Sequence, residues 1–328
     1  MTRLLSCRSI VRRGLLPALL GATLLLNMIA AQAQTAATSC PPQASPPTPQ
    51  QMQQAGTRAK DRGLLWRITK DGRSSHLYGT IHVGTLDWAF PGPKVRAALR
   101  DAEAMAFELD PLDPAIQTGL RSADASAPAR LPSAQAEQLG RLIERACLPE
   151  QVLAAMHPML QAMTVMLVEA SRDGLQVAYG QELVLAGFSR SRKLRTVSLE
   201  TPERQLAALI PKDAALAERY LAATLEQIDS GQGRRVLARL AAAWERGDLD
   251  EIADYERWCG CVKSTDDKTM MSALNDERNP DMADKIAALH GQGRRAFVAV
   301  GALHMTGPKA LPDLMRARGF QVERIEFR

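Results

Sequence analysis

The stretch "HLYGTIHVG", residues 76–84, has the pattern of a strand that ends at a glycine and then presents a histidine. Gly79 allows the backbone to turn sharply or to approach a ligand closely. His82 follows three residues later, and side chains just beyond a strand lie at the carboxyl edge of the sheet, where open α/β folds bind ligands. Taken alone, a G-x-x-H pattern is common and favours a structural histidine.

A second stretch near the other end of the chain has the same organisation. In "VAVGALHMTG", residues 298–307, a glycine again ends an apolar strand and His304 follows three residues later. Each copy is followed by a Gly-Pro-Lys tripeptide, a short helix and another strand. In each copy an acid, Glu108 or Glu323, comes sixteen residues after the glycine of that tripeptide. The pattern predicts a degenerate internal repeat whose two histidines share one site.

Further polar residues are candidates for the same site. Glu108 ends the apolar stretch "AMAFE", where a carboxylate must be paired, metal-bound or exposed in a cleft. Asp110 is its rival, and a salt bridge is the structural alternative for Glu108. In "NDERNP", residues 275–280, Arg278 could hold a substrate carboxylate or stabilise an oxyanion, or it could end a solvated helix. The remaining histidines are expected to be structural: His76, His157 and His290.

Strand patterns lie at the two ends of the chain and helical patterns lie between them. The N-terminal part predicts a hairpin at Asp71-Gly72, a short helix, a third strand and a polar loop over 111–133. A mainly helical insert over about 134–289, broken by the short strand "LRTVSL", separates this part from a C-terminal strand, helix and strand. The predicted fold class is α/β (α+β). The N- and C-terminal β-GxxH-α-β segments are expected to form one mixed sheet, and the helical insert is expected to pack against it.

Residues 1–33 have the features of a cleavable secretory signal peptide. Four arginines precede an apolar run, and a small-x-small cleavage site ends at Ala33. An uncleaved membrane anchor is the alternative, although Pro17 and Asn27 interrupt a run that is already short for a bilayer span. We therefore expect a periplasmic or secreted protein without stable membrane insertion.

The mature chain is expected to begin with a disordered leader and not to bind nucleic acids. Residues 34–62 are rich in Pro and Gln and lack an apolar period, so the folded domain is predicted over 63–328. Removing residues 1–33 takes away four arginines and no acids, which lowers the formal net charge from +5 to +1. With aromatic residues at 4%, the chain lacks the basic and stacking surface that nucleic-acid binding requires.

Cysteine usage predicts two disulfides in the mature protein. Loss of Cys7 with the signal peptide leaves Cys40, Cys147, Cys259 and Cys261, an even number for an oxidising compartment. A metal site at "WCGC" is the alternative, but it lacks a second cysteine pair. Because a Cys259–Cys261 bond would close a tight ring, we expect long-range pairs that join Cys40 and Cys147 to this segment.

Together the motifs resemble those of the TraB/GumN family, which is related to the Tiki membrane proteases and more distantly to erythromycin esterase-like enzymes. The matching stretches are "LYGTIHVG", "FELD", "SLETPERQLAAL", "ERNP" and "VAVGALHMTG". The resemblance implies a hydrolase-like fold, a divalent metal such as manganese or cobalt, peptide cleavage in the Tiki branch, and the site residues His82, Glu108 and His304 with Arg278. One departure is Glu182 in "YGQELVLAG", where relatives often have Asp, and this leaves a fourth site residue open.

These observations support three hypotheses of function. In the first, a metal-dependent hydrolase, a peptidase, binds one Mn, Co or Zn ion through His82, His304 and Glu108, and the metal lowers the pKa of bound water from about 15.7 to about 7. If Glu108 is not a ligand, it is the general base. In the second, a metal-free esterase or amidase uses a histidine base that Glu108 orients. In the third, the protein binds a peptide, or a polysaccharide-related partner, without catalysis.

Overall fold

The computed structural model describes residues 40–124 and 131–327, except for the side chains of residues 121–124. The predicted signal peptide, its cleavage site after Ala33 and residues 34–39 of the leader lie outside the described residues. The elements below belong to one unit, Pro41–Arg328, and Cys40 is the described part of a second unit, Met1–Cys40. Within the described ranges, no helix is long and apolar enough to cross a membrane.

One mixed sheet organises the described chain. Its strands are β1 Leu64–Lys70, β2 Arg73–Thr80, β3 Ala104–Phe107, β4 Arg195–Ser198, β5 Ala296–Gly301 and β6 Gln321–Arg324. They lie in the order β4-β3-β5-β2-β1-β6. The first four strands in this order are parallel, whereas β1 is antiparallel to both β2 and β6. The mixed α/β fold class predicted from the sequence is confirmed.

The centre of the sheet pairs the two GxxH segments directly. β2 and β5 are parallel neighbours, with Thr80 opposite Gly301. β2 follows a hairpin from β1 whose turn residues, Asp71 and Gly72, both have positive φ, as the Asp-Gly pair predicts. Because parallel strands end at the same edge of a sheet, the two GxxH turns emerge side by side.

The two copies of the repeat differ in the position of their last strand. β3 lies beside β5, so Glu108 follows a strand that ends at the shared edge. β6 pairs with β1 on the other side of the sheet, and there Glu323 forms an ion pair with Arg67, with Nη2 and Oε2 2.8 Å apart. Glu323 therefore lies apart from the GxxH turns.

Helices fill the chain between and around the strands. In chain order they are α1 Pro49–Thr57, α2 Pro93–Asp101, α3 Pro114–Asp124, α4 Ser133–Arg145, α5 Glu150–Leu153, α6 Pro158–Glu169, α7 Gln181–Ser191, α8 Pro202–Leu209, α9 Ala214–Asp229, α10 Gln232–Arg246, α11 Leu249–Ala253, α12 Tyr255–Trp258, α13 Thr265–Leu274, α14 Asn279–Gly291 and α15 Leu311–Ala317, with 3-10 helices at Leu86–Ala89, Ala170–Asp173, Val177–Tyr179 and Ala302–Met305. Helix α3 lies where a polar loop was predicted, because Asp113 accepts the N–H of Ala115 (2.8 Å) and Pro114 suits a first turn.

The leader that was predicted to be disordered contains a helix. Helix α1 begins with a capping box in which Thr48 and Gln51 exchange side-chain to backbone hydrogen bonds (2.8 and 3.2 Å). Its Ala55 is fully buried, and the helix contacts the 3-10 helix Leu86–Ala89. The prediction of disorder over 34–62 is therefore wrong for α1, since a cap and one small buried face stabilise a helix that packs on a folded domain.

The cysteines pair differently from the prediction. Cys259 is bonded to Cys261, and Cys40 and Cys147 are also disulfide-bonded. The expected long-range links to the segment at 259–261 are therefore wrong. Gly260, between the two bonded cysteines, has a φ of 63°, a conformation that glycine adopts without strain and that allows the short ring to close.

Trp244 of α10 connects the helical insert to the first GxxH turn. Its side chain is buried, and the indole N–H donates to the carbonyl oxygen of Gly79 (2.7 Å). The ring also contacts Trp88 and Tyr78, with centroids 5.0 and 6.3 Å away. Gly63, at a φ of 78°, passes so close that a Cβ atom there would lie 2.9 Å from the indole. The insert thus fixes the end of β2.

We expect Trp244→Phe to destabilise the protein more than Trp258→Phe. Both indoles donate to a backbone carbonyl at 2.7 Å. The bond of Trp244 is buried, and removing the donor from a buried carbonyl costs about 1–3 kcal/mol, whereas water can replace the part-buried bond of Trp258. The measurement is the free energy of unfolding in urea, and equal losses in the two variants would contradict the anchoring role of Trp244.

Candidate functional site

Side chains from adjacent strands meet at the carboxyl edge of the sheet. In the order of the strands along the chain, His82 follows β2, Glu108 follows β3, Glu200 follows β4 and His304 follows β5. Arg278 approaches the same edge from the start of α14. Ligands of open α/β sheets bind at this edge. The sequence predicted each of these residues except Glu200.

His82 and Glu182 form an ion pair on the open side of this edge. The Nδ1 atom of His82 lies 3.2 Å from Oε1 of Glu182, and the hydroxyl of Thr80 donates to the same oxygen (2.6 Å). The His82 side chain is 64% exposed, whereas that of Glu182 is 17% exposed. A carboxylate therefore holds one ring nitrogen while much of the ring stays accessible to a ligand.

Backbone contacts bring Glu182 to His82. The loop after β2 lies against the segment before α7, because Gly84 and Gln176 exchange two backbone hydrogen bonds (3.0 and 2.7 Å). Gly180 packs on the carbonyl oxygen of His82 and leaves no room for a Cβ atom. Glu182 then lies in the first turn of α7. The residue that departs from the family pattern in the sequence is therefore the partner of His82.

Each member of this pair stabilises the charged form of the other. The negative charge of Glu182 is the main reason that the pKa of His82 is raised to about 9, although desolvation opposes this effect. The hydrogen bond with Glu182 and the charge of Glu108 also raise this pKa, and the charge of Arg278 lowers it. Burial alone would raise the pKa of Glu182, but the charge of His82 and the hydrogen bonds from His82 and Thr80 place it below its usual value. His82 is therefore cationic at neutral pH, with water around the exposed ring screening part of the attraction.

Donors surround both oxygens of the Glu108 carboxylate. Oε1 accepts the N–H of Gly301 (2.7 Å) and lies 3.5 Å from Nε2 of His304. Oε2 accepts from Nη2 of Arg278 (2.5 Å) and from Nε2 of Gln205 (3.2 Å). Burial alone would raise the pKa of Glu108, but the charge and hydrogen bond of His304, the charge of Arg278 and the N–H of Gly301 hold it well below the usual range. Glu108 is therefore an anion at neutral pH and a weak proton acceptor.

Arg278 lies between Glu108 and a second buried carboxylate, Glu200. Its Nε donates to both oxygens of Glu200 (2.9 and 3.1 Å), its Nη2 contacts both carboxylates, and its Nη1 donates to the carbonyl of Leu274 (2.8 Å). The side chains of Arg278 and Glu200 are 6% and 3% exposed. Burial alone would lower the pKa of Arg278, and hydrogen bonds and charges of the two carboxylates raise it above its usual value. The guanidinium is thus engaged by the protein's own carboxylates.

Glu200 is a site residue that the sequence analysis missed. The signal was present, because in "TVSLE" an acid follows a strand, as it does in "AMAFE". The N–H of Glu200 donates to the carbonyl of Glu108 (3.0 Å), so the two acids follow neighbouring strands. Two carboxylates at adjacent strand ends repel one another unless a cation lies between them, and that requirement points to Arg278.

Asn279 sets the orientation of His304. The amide nitrogen of Asn279 donates to the carbonyl oxygens of His304 (3.3 Å) and Lys309 (2.8 Å), which leaves its Oδ1 to accept from Nδ1 of His304 (2.6 Å). Nδ1 therefore carries a proton, and Nε2 is the nitrogen that faces Glu108. Both residues are buried. The two GxxH histidines thus differ, since His304 is enclosed and His82 is open.

The predicted metal site of His82, His304 and Glu108 does not fit this geometry. Among the described residues, no group of three or more His, Cys, Asp and Glu side chains is placed to hold a metal ion. Nε2 of His304 faces Glu108, and both oxygens of Glu108 already accept hydrogen bonds from the protein. A manganese, cobalt or zinc ion beside Glu108 would also face the positive charge of Arg278, which lies 2.5 Å from Oε2.

The other candidates from the sequence have structural contacts of their own. Asp110 is buried and pairs with Arg190 (2.7 Å). His76 is half-buried on β2, and burial, with the charge of Arg67, lowers its pKa to about 4. His157 caps α6 by accepting a backbone N–H (3.2 Å), and the buried His290 lies 2.9 Å from a backbone carbonyl.

The fold and the edge cluster define an α/β protein with a cluster of charged and histidine side chains at the ends of its parallel strands. The sequence model of the TraB/PrgY/gumN family matches residues 64–324, and the chain belongs to this family. The resemblance drawn from the motifs is confirmed, and the matched range contains all residues of the site.

Relatives of the chain include two proteins described as uncharacterized protein YbaP, from Shigella flexneri and from Escherichia coli (strain K12). Each is 25% identical to this chain over 251 residues, which cover 76% of this chain and 90% of the relative. No solved structure gives a significant match.

We expect Arg278→Met to lower the free energy of unfolding by about 3–5 kcal/mol at neutral pH, because it removes the cation that pairs with two buried carboxylates. Without Arg278, burial raises the pKa of Glu108, so this carboxylate becomes neutral as the pH falls and the loss should shrink toward about pH 5. Urea unfolding of wild type and variant at both pH values measures the difference.

Arg204→Met is the matched control for this prediction. Arg204 is half-buried and donates through a solvent-exposed hydrogen bond to the backbone carbonyl of Glu277 (2.9 Å). Its removal should change the free energy of unfolding by no more than about 0.5 kcal/mol at either pH. Similar losses in both variants, or a loss in Arg278→Met that does not depend on pH, would contradict the role given to Arg278.

Proposed function

We propose that this protein is a hydrolase that cleaves an amide or ester bond, in a peptide or in a small ester or amide, with His82 as the group that transfers protons. The observation that carries this proposal is the His82–Glu182 pair, an accessible imidazole held through Nδ1 by a largely buried carboxylate at 3.2 Å. A carboxylate in this position orients the ring and stabilises the imidazolium that forms when the other nitrogen takes up a proton.

Hydrolysis uses the neutral form of His82. Nδ1–H donates to Glu182, so Nε2 carries the lone pair that removes a proton from water as the water oxygen attacks the carbonyl carbon. His82 then gives this proton to the leaving nitrogen or oxygen, which completes the cleavage. General acid–base catalysis of this kind contributes roughly 10²- to 10⁴-fold to a rate. Glu182 favours the cationic form of His82 between the two transfers.

Glu108 supports the site in this proposal and does not act as the base. Its pKa lies well below the usual range, and its oxygens already accept hydrogen bonds. The carboxylate that contacts His82 is Glu182, so the orienting role first expected for Glu108 belongs to Glu182. Glu108, Arg278 and His304 are positioning residues that fix the ends of β3 and β5 beside the reactive histidine.

We also propose that the protein acts in the periplasm or after secretion. The cysteines among the described residues are disulfide-bonded, which is typical of proteins in oxidising compartments. The signal peptide predicted for residues 1–33 agrees with this location. Peptides and small esters or amides in that compartment would reach the exposed ring of His82 directly.

We expect kcat/KM to rise with pH and to level off above about 9, because only neutral His82 accepts a proton. Glu182→Gln removes the charge that raises this pKa, so the rise should move toward the usual histidine value of 6.5. The plateau rate should also fall, because the imidazolium loses its stabilising carboxylate. The measurements are hydrolysis of a peptide and ester library across pH and NMR titration of the His82 ring.

Glu137→Gln is the matched control, since it removes the same charge from an exposed position on α4. This variant should leave both the pH profile and the His82 titration unchanged. A pH profile that stays in place in Glu182→Gln would contradict the assignment of His82 as the base.

Chelation and a His82 variant separate this proposal from its alternatives. Activity should persist after dialysis against EDTA and should disappear in His82→Gln while the protein remains folded by circular dichroism. Loss of activity in EDTA with recovery on adding manganese or cobalt would favour the metal-dependent mechanism. If the wild type binds peptides without turnover and His82→Gln binds them equally well, the protein is a binding protein.

A further inference from the structure

A second reactive feature lies in the helical insert, where Cys259 and Cys261 are bonded across a single residue. The stabilisation that a disulfide gives a folded protein grows with the length of the loop that it closes. A bond across one residue removes little conformational freedom from the unfolded chain. This disulfide is therefore a poor structural cross-link, and its presence calls for a chemical reason.

The two sulfur atoms have different surroundings. Cys259 is 2% exposed, whereas Cys261 is only half-buried. The backbone N–H of Cys261 donates to Sγ of Cys259 at 3.0 Å. A hydrogen bond to sulfur favours its thiolate form and so makes it a better leaving group in thiol–disulfide exchange. Cys261 is thus the more accessible of the two residues, and the sulfur of Cys259 is the better leaving group.

Neighbouring side chains fix the backbone of the ring. The amide of Gln232, in the first turn of α10, donates to the carbonyl oxygens of Cys259 (3.1 Å) and Gly260 (3.2 Å). A Cβ atom at Gly260 would lie 2.9 Å from this amide nitrogen. The hydroxyl of Tyr255 lies 3.9 Å from Sγ of Cys261. The bonds from Gln232 hold the backbone of the ring and do not depend on the S–S bond.

We propose that the Cys259–Cys261 disulfide is an exchange site that oxidises a dithiol, such as a pair of neighbouring cysteines in a peptide or protein. One thiolate of the dithiol attacks Sγ of Cys261, a mixed disulfide forms there, and the electron pair of the broken bond leaves on Sγ of Cys259. The second thiolate then attacks the sulfur of its own molecule and releases Cys261. The dithiol loses two electrons and two protons, and the two cysteines take them up. This site is separate from the proposed hydrolytic site.

A redox titration of the full-length protein with reduced and oxidised dithiothreitol tests the proposal. Alkylation and mass spectrometry measure reduction at Cys259 and Cys261 and, in the same samples, at Cys40 and Cys147. We expect Cys259 and Cys261 to become reduced at a ratio of reduced to oxidised dithiothreitol about tenfold lower than the other cysteines. Reduction of all these cysteines at one ratio, or of Cys40 and Cys147 first, would overturn the proposal.

Two serine variants test the direction of attack. Cys259→Ser leaves the accessible thiol of Cys261, and Cys261→Ser leaves the buried thiol of Cys259. With oxidised glutathione, the first should form a mixed disulfide about tenfold faster than the second. The wild type should oxidise an equimolar Cys-x-x-Cys peptide, and neither variant should do so. Equal glutathionylation rates, or a peptide that stays reduced beside the wild type, would contradict the exchange site.

Discussion

The buried contact of Arg278 with Glu108 and Glu200 is the constraint on which the edge of the sheet depends. Removing three charged groups from water is costly, and the cost is offset only when each is paired and hydrogen-bonded in good geometry. Glu108 and Glu200 follow the neighbouring strands β3 and β4, while Arg278 begins a helix from a distant part of the chain. A slip in the register of either strand would leave a buried charge without a partner, so the ion cluster specifies the strand order that brings the site together.

The two GxxH turns look alike in sequence and differ in chemistry because of their partners. His82 is open to solvent and lies against a carboxylate supplied by α7 of the helical insert, whereas His304 is enclosed and donates to the neutral amide of Asn279. Glu182 raises the pKa of the accessible His82 ring, whereas Asn279 fixes the orientation of the buried His304 ring, whose Nε2 faces Glu108. The sheet therefore supplies two equivalent positions, and the elements packed on its edge determine how each histidine is held and how far it is exposed to solvent.

Local patterns predicted much of the fold and part of the site. The Asp71-Gly72 hairpin, the glycine-ended strands and the acid after β3 follow from turn chemistry and from the problem of burying a carboxylate, so Glu108 and both histidines could be chosen from the sequence. Glu200 has the same strand-end signal as Glu108, but its contact with Arg278 and the role of Asn279 could not be predicted, because they depend on which strand lies beside β3 and which helix begins beside His304. The cysteine pairing and α1 were mispredicted for a related reason: ring closure at Gly260 and the burial of Ala55 are properties of packed neighbours that composition does not record.

Because β2 pairs with β5, the candidate site can assemble only late in the synthesis of the chain. Thr80 lies beside Gly301, more than two hundred residues later in the chain, and β5 separates β2 from β3. Contacts between such distant segments require the closure of a very long loop and form late in folding. A chain that ends before β5 contains His82, Glu182 and Glu108 but lacks the strand that joins β2 to β3. Because β5 comes late in the sequence, this edge of the sheet can assemble only after nearly all of the protein has been synthesised.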